Sequence, residues 1–265
     1  MNWIRSATPL VLALTAAMSA QAGISPESAT TEVRSATPGG TYRGTLVVRN
    51  SGTTAVDVKL HRTDYAFSAD GRSSFATPGQ VPRSNAPWVR LAREQIRLAP
   101  GERGSVDYEV RVPNDTQLTG TYWSAVMIEQ VGGAEQDAAK REKVQIRQIV
   151  RYAIQVITEI GETGTSAIAF SNAHLSNADG KRELSVDVEN TGERWLQAQV
   201  WLELHDADGH LAGKFAGQRL RTFPATSVRN RIDLTAVRPG KYLALLVADA
   251  GRNDLFGTQI ELDVR

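Results

Sequence analysis

The chain has 265 residues, and its 30 lysines and arginines are balanced by 29 aspartates and glutamates. This balance gives no electrostatic reason to expect nucleic acid or an anionic membrane surface as a partner. There is no cysteine, which excludes disulfides and a cysteine nucleophile, so stability must come from hydrophobic cores alone.

The first 22 residues have the organisation of an export signal. Arg5 provides a positive start, an apolar run extends from Leu10 to Met18, and Ala20-Gln21-Ala22 is a small-x-small cleavage site. The run is shorter than the about 20 apolar residues that a membrane-spanning helix needs. We therefore expect a periplasmic protein that is cleaved near Ala22 and does not insert into a membrane.

Two sets of landmarks recur in the same order and predict two domains. A strand, a turn and a second strand occur twice, and the turns begin at Asn50-Ser51-Gly52 and at Asn190-Thr191-Gly192. A Gly-x-Tyr sequence then opens an apolar strand at Gly120 and again at Gly240. A mature chain of about 240 residues suits two domains of ordinary size.

The remaining pattern predicts an all-β fold. Short alternating runs bounded by Gly, Pro or Asn favour antiparallel β-sandwiches over βαβ units. We expect two immunoglobulin-like β-sandwich domains in tandem, at 23–160 and 161–265, after a signal peptide at 1–22. Tyr122 and Tyr242 either form tyrosine corners or are ordinary half-buried aromatic residues.

The first domain is longer than the second between matching landmarks. The surplus coincides with Ser68–Trp88, which is rich in Gly, Pro and Ser and contains an Asp70-Gly71 hairpin signal. We interpret this segment as an insertion on one sandwich.

Residues suited to catalysis are sparse. The chain has four histidines and no Gly-x-Ser-x-Gly motif. The His205–His210 segment, HDADGH, offers metal ligands, but the glutamate that would close a calcium loop is missing, and Asp208-Gly209 is typical of a hairpin turn. The second domain has alternating basic pairs, Arg219 with Arg221 and Arg229 with Arg231, which either solvate a strand face or form a binding patch. We expect no enzyme activity, no catalytic residue, no metal and no cofactor.

The segment KVQIRQIVRYAIQVITEI, 143–160, alternates for eighteen positions, about three times the usual strand length. Apolar residues occupy seven of the nine even positions from 144 to 160 and three of the eight odd positions from 145 to 159, and the β-branched residues oppose a helix. Such a strand either closes its own sheet, with a break near Arg151, or offers an edge to which a partner adds a strand.

The first domain resembles the N-terminal domain of the periplasmic pilus chaperones of chaperone–usher systems, in the PapD-like group. Landmarks that match in order are LVVRN at Leu46–Asn50, RLAPGE at Arg97–Glu102, Val112-Pro113, and GTYWSAVMIEQV at Gly120–Val131. They span roughly Ile24 to Ile160. The second domain is similar to a more generic immunoglobulin or fibronectin-like module.

In that family the last strand of the first domain completes the unfinished sandwich of a pilin, and two basic residues anchor the pilin's terminal carboxylate. The resemblance implies that Arg34 and Arg151 are these anchors, with Arg147 as the alternative to Arg151. It implies that the donor strand contacts the client through Val144, Ile146, Val150 and Tyr152. The implied partners are an exported β-rich, pilin-like subunit and an outer-membrane usher.

The leading hypothesis is a periplasmic chaperone-like assembly factor that binds pilus, fimbrial or other surface subunits by β-strand donation. The alternative is a non-catalytic cell-envelope scaffold or adhesion module, which binds a surface protein or polymer through Ser68–Trp88 and the His205–His210 face. A metal-assisted hydrolase is the third hypothesis.

Overall fold

The computed structural model of the protein describes residues 23–131 and 150–265. Apart from one 3₁₀ turn, Ala86–Trp88, the regular elements in these ranges are β-strands, which form four sheets. The all-β prediction is confirmed. Within the same ranges, no helix has the length and apolar character to cross a membrane. The predicted signal peptide, Val144, Ile146 and Arg147 lie outside the described residues.

Sheets 1 and 2 form the first sandwich. Sheet 1 has the strand order β1-β3-β8-β6, and sheet 2 has the order β2-β10-β9-β4-β5, with β7 paired to β4. The bounds are β1 (Ile24–Pro26), β2 (Thr31–Ala36), β3 (Thr41–Asn50), β4 (Val56–Phe67), β5 (Ser73–Ala76), β6 (Val89–Leu91), β7 (Gln95–Leu98), β8 (Arg103–Arg111), β9 (Gly120–Val131) and β10 (Arg151–Ile160).

Sheets 3 and 4 form the second sandwich, with the orders β11-β12-β15 and β14-β13-β16-β17. The bounds are β11 (Ile168–Ala178), β12 (Lys181–Asn190), β13 (Leu196–His205), β14 (Leu211–Thr222), β15 (Ser227–Asp233), β16 (Gly240–Asp249) and β17 (Leu255–Val264).

Each sandwich has its own core, because alternate residues of its two sheets point inward. In the first sandwich, Leu46 of sheet 1 belongs to one buried cluster with Ile128 and Ile154 of sheet 2. In the second, Leu184 of sheet 3 and Leu202 of sheet 4 belong to another. The alternation of apolar and polar residues that predicted the strands therefore also identifies the residues that point into each core.

The repeated asparagine turns have the same construction in both sandwiches. Asn50 and Asn190 are both fully buried. The side-chain oxygen of each accepts the N–H two residues later at 2.9 Å, and its amide nitrogen donates to the carbonyl four residues later at 2.7 Å. Each turn joins strands of different sheets, so these bonds satisfy backbone groups where the chain crosses between sheets.

The two tyrosines after the repeated glycines differ in their contacts. The hydroxyl of Tyr242 donates to the carbonyl of Arg238 at 2.9 Å, as expected for a tyrosine corner. The Tyr122 ring instead packs 4.7 Å from the Trp88 ring and 5.4 Å from the Arg83 guanidinium. The corner is therefore found in the second sandwich, and Tyr122 is an aromatic packing residue.

A third buried cluster joins the two sandwiches. Trp123 and Ile157 of the first sandwich pack against Phe223, which follows β14 in the second. The rings of Trp123 and Phe223 are stacked, with centroids 5.0 Å apart and planes at 10°. The tandem arrangement thus has a small apolar core of its own.

The Ser68–Trp88 insertion contacts the second sandwich. The N–H of Ala69 donates to the hydroxyl of Ser227 at 3.0 Å, and Arg83 forms an ion pair of 2.7 Å with Glu193. The buried carboxylate of Asp64 accepts two backbone N–H groups from the insertion and so holds its shape. Part of this segment is therefore engaged within the protein.

Candidate functional site

Strand β10 is covered along only part of one side. It pairs antiparallel with β9 over its full length, but it pairs parallel with β2 only from Gln155 onward. The N–H of Gln155 donates to the carbonyl of Thr30 at 2.9 Å, which marks the start of the cover. From Arg151 to Ile154, the side of β10 opposite β9 has no strand neighbour among the residues that the structure describes.

This open side results from a change of sheet early in the chain. Ile24–Pro26 forms β1 and pairs with β3 in sheet 1, whereas β2 pairs with β10 in sheet 2. Pro26, at the end of β1, lacks the N–H that a continued ladder would use. Since β2 then has six residues and β10 has ten, β2 cannot cover all of β10.

The two faces of β10 have different environments. Ile154 and Val156 are fully buried in the first core, and Tyr152 packs against the same core. Thr158 continues this inner face and shares a hydrogen bond of 2.7 Å with Tyr42, whose burial raises its pKa to about 12. The period-two alternation therefore holds in the described part of the predicted long strand.

Val150 immediately precedes β10 and is 44% exposed. Of the predicted donor-strand residues within the described ranges, Val150 is thus accessible, and Tyr152 is partly buried against the core. Their contact with a client stays a prediction.

The structure does not bring Arg34 and Arg151 together. Arg34 lies opposite Thr158 in the β2–β10 register, seven residues along β10 from Arg151, which corresponds to about 23 Å. An odd separation also places the two side chains on opposite faces of the sheet. Each has a carboxylate neighbour, Glu32 at 3.2 Å for Arg34 and Glu129 at 3.0 Å for Arg151. The two arginines cannot hold one carboxylate jointly, which corrects that part of the sequence interpretation.

A different arginine lies where the open side of β10 ends. Nη1 of Arg221, on β14, donates to Oγ1 of Thr31 at 2.9 Å and to Oε1 of Gln155 at 3.3 Å. Its guanidinium carbon is 5.2 Å from the centroid of the Trp195 ring. Its Nε is buried without a hydrogen-bond partner within the described ranges. Arg221 therefore links the second sandwich to the start of β2 and to β10 at the point where the open side ends.

Arg221 lines a pocket of about 320 Å³ between the sandwiches. Arg219, two residues earlier on the same strand, and the Phe67 and Phe223 rings also line it. Sequence analysis recognised Arg219 and Arg221 as a basic pair, but the strand spacing contained no signal that they reach the first sandwich.

The His205–His210 segment forms the turn between β13 and β14. Oδ1 of Asp206 accepts the N–H groups of Asp208 and His210, at 3.0 and 2.9 Å. Ligand atoms of these three residues lie within 4.8 Å of one another at the surface. The hydrogen bonds explain the cluster as turn structure, so the geometry by itself does not indicate a metal centre.

Neither a protein-family model nor a curated protein sequence matches the chain. Among solved structures, one from a chaperone–tip adhesin complex of CFA/I fimbriae biogenesis is similar, with 10% identity, 90% of this chain and 98% of that chain covered, and a TM-score of 0.50. The class 5 fimbriae chaperone CfaA has 9% identity, coverages of 90% and 98%, and a TM-score of 0.48.

A third structure is the chaperone–tip subunit pre-assembly complex of Csu pili from Acinetobacter baumannii. It has 11% identity, covers 91% of this chain and 98% of that chain, and has a TM-score of 0.46. The first structure matches over nine tenths of the chain and shows the fold. The protein therefore has the same overall fold as that structure, with two immunoglobulin-like sandwiches in tandem.

Proposed function

We propose that the protein is a non-catalytic periplasmic assembly factor that binds an exported, β-rich subunit of a pilus or another surface structure by strand addition. The observation that carries the proposal is the open side of β10 from Arg151 to Ile154. Unpaired backbone N–H and C=O groups on a strand edge are a template for an added strand. A solved structure with this fold contains a chaperone bound to a tip adhesin, which supports the same class of partner.

The register identifies the backbone groups that a client would use. Because the N–H of Gln155 points to β2, the N–H and C=O of Ala153 and Arg151 point to the same, open side. A client strand added there would lie in line with β2 and would end near Thr31. Val144 and Ile146, which precede the described part, stay predicted contacts of the same strand.

Arg221 lies at the end of this added strand. A client chain that terminates beside Thr31 would place its carboxylate near the guanidinium group of Arg221, and such a pair is strengthened by charge. The proposed anchor is therefore Arg221. Individual contacts of Arg34 and Arg151 with the client remain separate predictions.

The strand-addition step is tested by Ala153→Pro, with Ala153→Ser as the matched control. Proline removes the N–H on the open side and leaves the β9 side of residue 153 unchanged, whereas serine keeps the N–H. The tagged protein is co-expressed with each small secreted β-rich subunit encoded beside its gene, and periplasmic complexes are purified. We expect Ala153→Pro to reduce recovery of the subunit at least tenfold and Ala153→Ser to preserve it. Equal recovery with both variants would refute strand addition at this edge.

The anchor is tested in the same assay by Arg221→Gln, with Arg219→Gln as its control. Circular dichroism and thermal melting establish that both variants fold. We expect Arg221→Gln to reduce recovery of the subunit and Arg219→Gln to have a smaller effect. Loss of the subunit with Arg34→Gln or Arg151→Gln, but not with Arg221→Gln, would contradict the assignment of the anchor.

The alternative function, an envelope scaffold, would use the Ser68–Trp88 insertion as its binding surface. The bonds of Ala69 to Ser227 and of Arg83 to Glu193 give part of this insertion a role within the protein. This arrangement favours strand addition over the scaffold as the function.

A further inference from the structure

The outer face of sheet 2 carries a trough that extends beyond the proposed anchor, Arg221. It consists of two pockets, of about 400 and 320 Å³, whose linings follow one another along the strands. Ala153 and Thr63 line the first pocket, and Gln155 and Tyr65, each two residues further along β10 and β4, line the second. The trough runs along β4 from Lys59 to Phe67, a rise of eight residues, so its length is about 26 Å. An extended peptide of about eight residues has this length.

A small side chain lies within the trough. Ala153 of β10 lines the first pocket and lies beside Met127 in the sheet register. Its short side chain leaves room for a ligand side chain there.

An aromatic wall borders the trough. The ring of Phe75, on β5, is stacked on Tyr65 with a centroid distance of 5.2 Å, and Phe75 is 50% exposed. The exposed Phe75 ring lines the same pocket as Ala153, so it provides an apolar contact for a side chain that enters the trough.

The charge of the trough is mostly positive. Its lining contains four cations, Lys59, Arg151, Arg219 and Arg221, and one carboxylate, Glu129. Glu129 is already shared between Arg151 at 3.0 Å and the Nδ1 atom of His61 at 3.8 Å. Since no second acid lines either pocket, the surplus positive charge favours an anionic partner.

Two nitrogen atoms in the trough lack hydrogen bonds. Nδ1 of His61 and Nε of Arg221 are buried without a partner within the described ranges, and they are two of five such side-chain atoms there. Buried polar atoms in folded proteins are nearly always satisfied, so an unsatisfied atom in a concave site points to a missing partner. His61 and Arg221 lie in different pockets, so one long ligand would reach both.

We infer that the trough binds an extended acidic segment of a partner polypeptide, with carboxylates at the Lys59 and Arg219 ends and an apolar side chain between Ala153 and Phe75. The segment lies across the outer face of sheet 2, whereas the added strand of the proposed function lies beside β10 in the plane of the sheet. The two contacts share Arg221, which lines the trough and is also the proposed anchor, but they otherwise use different surfaces.

The probe is a fluorescein-labelled ten-residue peptide that alternates glutamate with leucine, and its control replaces every glutamate with glutamine. Binding to the full mature protein is followed by fluorescence anisotropy. We expect the glutamate peptide to bind at least tenfold more tightly than the glutamine peptide. Equal affinities would overturn the inference.

The location is tested with two double variants that remove the same charge. Lys59→Gln with Arg219→Gln alters the trough, and Arg43→Gln with Arg90→Gln alters a pocket on the outer face of sheet 1. The trough variant should bind the glutamate peptide at least tenfold more weakly than the unmodified protein does. The control variant should bind it less than threefold more weakly. Similar losses in both variants would overturn the inference, because binding would then depend on net charge alone.

The trough variant, Lys59→Gln with Arg219→Gln, separates this inference from the proposed function when it is also tested in the co-expression assay. Recovery of the subunit that is kept while binding of the glutamate peptide is lost supports a second site on the face of the sheet. Loss of both the subunit and the peptide would show that the two share one site and would overturn the trough assignment.

Discussion

Removal of the Phe223 ring should uncouple the two sandwiches. The side chain is fully buried, is stacked on Trp123 at 5.0 Å, and meets the edge of Phe67 at 6.0 Å. Phe223→Ala leaves a cavity between the sandwiches and removes both ring contacts. The perturbation therefore acts on the interface as well as on the second sandwich.

Phe223→Ala is expected to lower the free energy of unfolding by a large fraction of the stability of a typical domain. Truncation of a buried phenylalanine to alanine lowers the free energy of unfolding by about 3–5 kcal/mol. The loss of two aromatic contacts, each worth about 0.5–1.5 kcal/mol, places Phe223 in the upper part of that range. The free energy of unfolding of a native protein is only about 5–15 kcal/mol, so the change is readily measurable.

Urea unfolding followed by tryptophan fluorescence and far-ultraviolet circular dichroism measures the effect. Trp123 reports directly on the interface because its ring touches Phe223. The control is Phe215→Ala, since Phe215 packs against the second core and does not belong to the interface cluster. Phe223→Ala should shift the unfolding of both sandwiches, whereas Phe215→Ala should shift mainly the second. A loss below about 1 kcal/mol for Phe223→Ala, or identical curves for the two variants, would refute the reasoning.

Two further predictions concern buried polar groups. Asp187→Asn should make stability less sensitive to acid: hydrogen bonding to Arg229 lowers the pKa of Asp187, so the stabilisation is present at neutral pH and is lost as the pH falls through the folded-state pKa. Melting temperatures measured from neutral to acidic pH test this, and parallel curves for wild type and variant would contradict it. Asn50→Ala should lower the free energy of unfolding by about 2–3 kcal/mol, because buried carbonyls lose their donor. Urea titration measures the change, and a loss below 0.5 kcal/mol, the usual range for surface sites, would contradict the structural role of Asn50.

Local sequence patterns predicted the strands well because they depend on near neighbours. Alternation along 143–160 predicted a strand, and its described part is β10. The turns at Asn50 and Asn190 were also predicted, but not that each joins two different sheets. A turn signal reports a local reversal of the chain, whereas the sheet that the next strand enters depends on distant partners.

The candidate site was harder to predict than the fold. Arg34 and Arg151 were assigned a shared role from sequence landmarks, which give positions along the chain but not strand register. The parallel pairing of β2 with β10 places them seven residues apart on opposite faces. Arg221 was recognised as basic, but its contact with Thr31 spans 190 residues of sequence.

The amino-acid sequence by itself determined the all-β character, the repeated turns and the dependence on apolar cores, because these follow from composition and short-range periodicity. Tertiary structure alone decided which side of β10 is open and which arginine reaches its end. Both follow from contacts between distant segments, such as Thr31 with Gln155 across 124 residues, and no local pattern encodes such register.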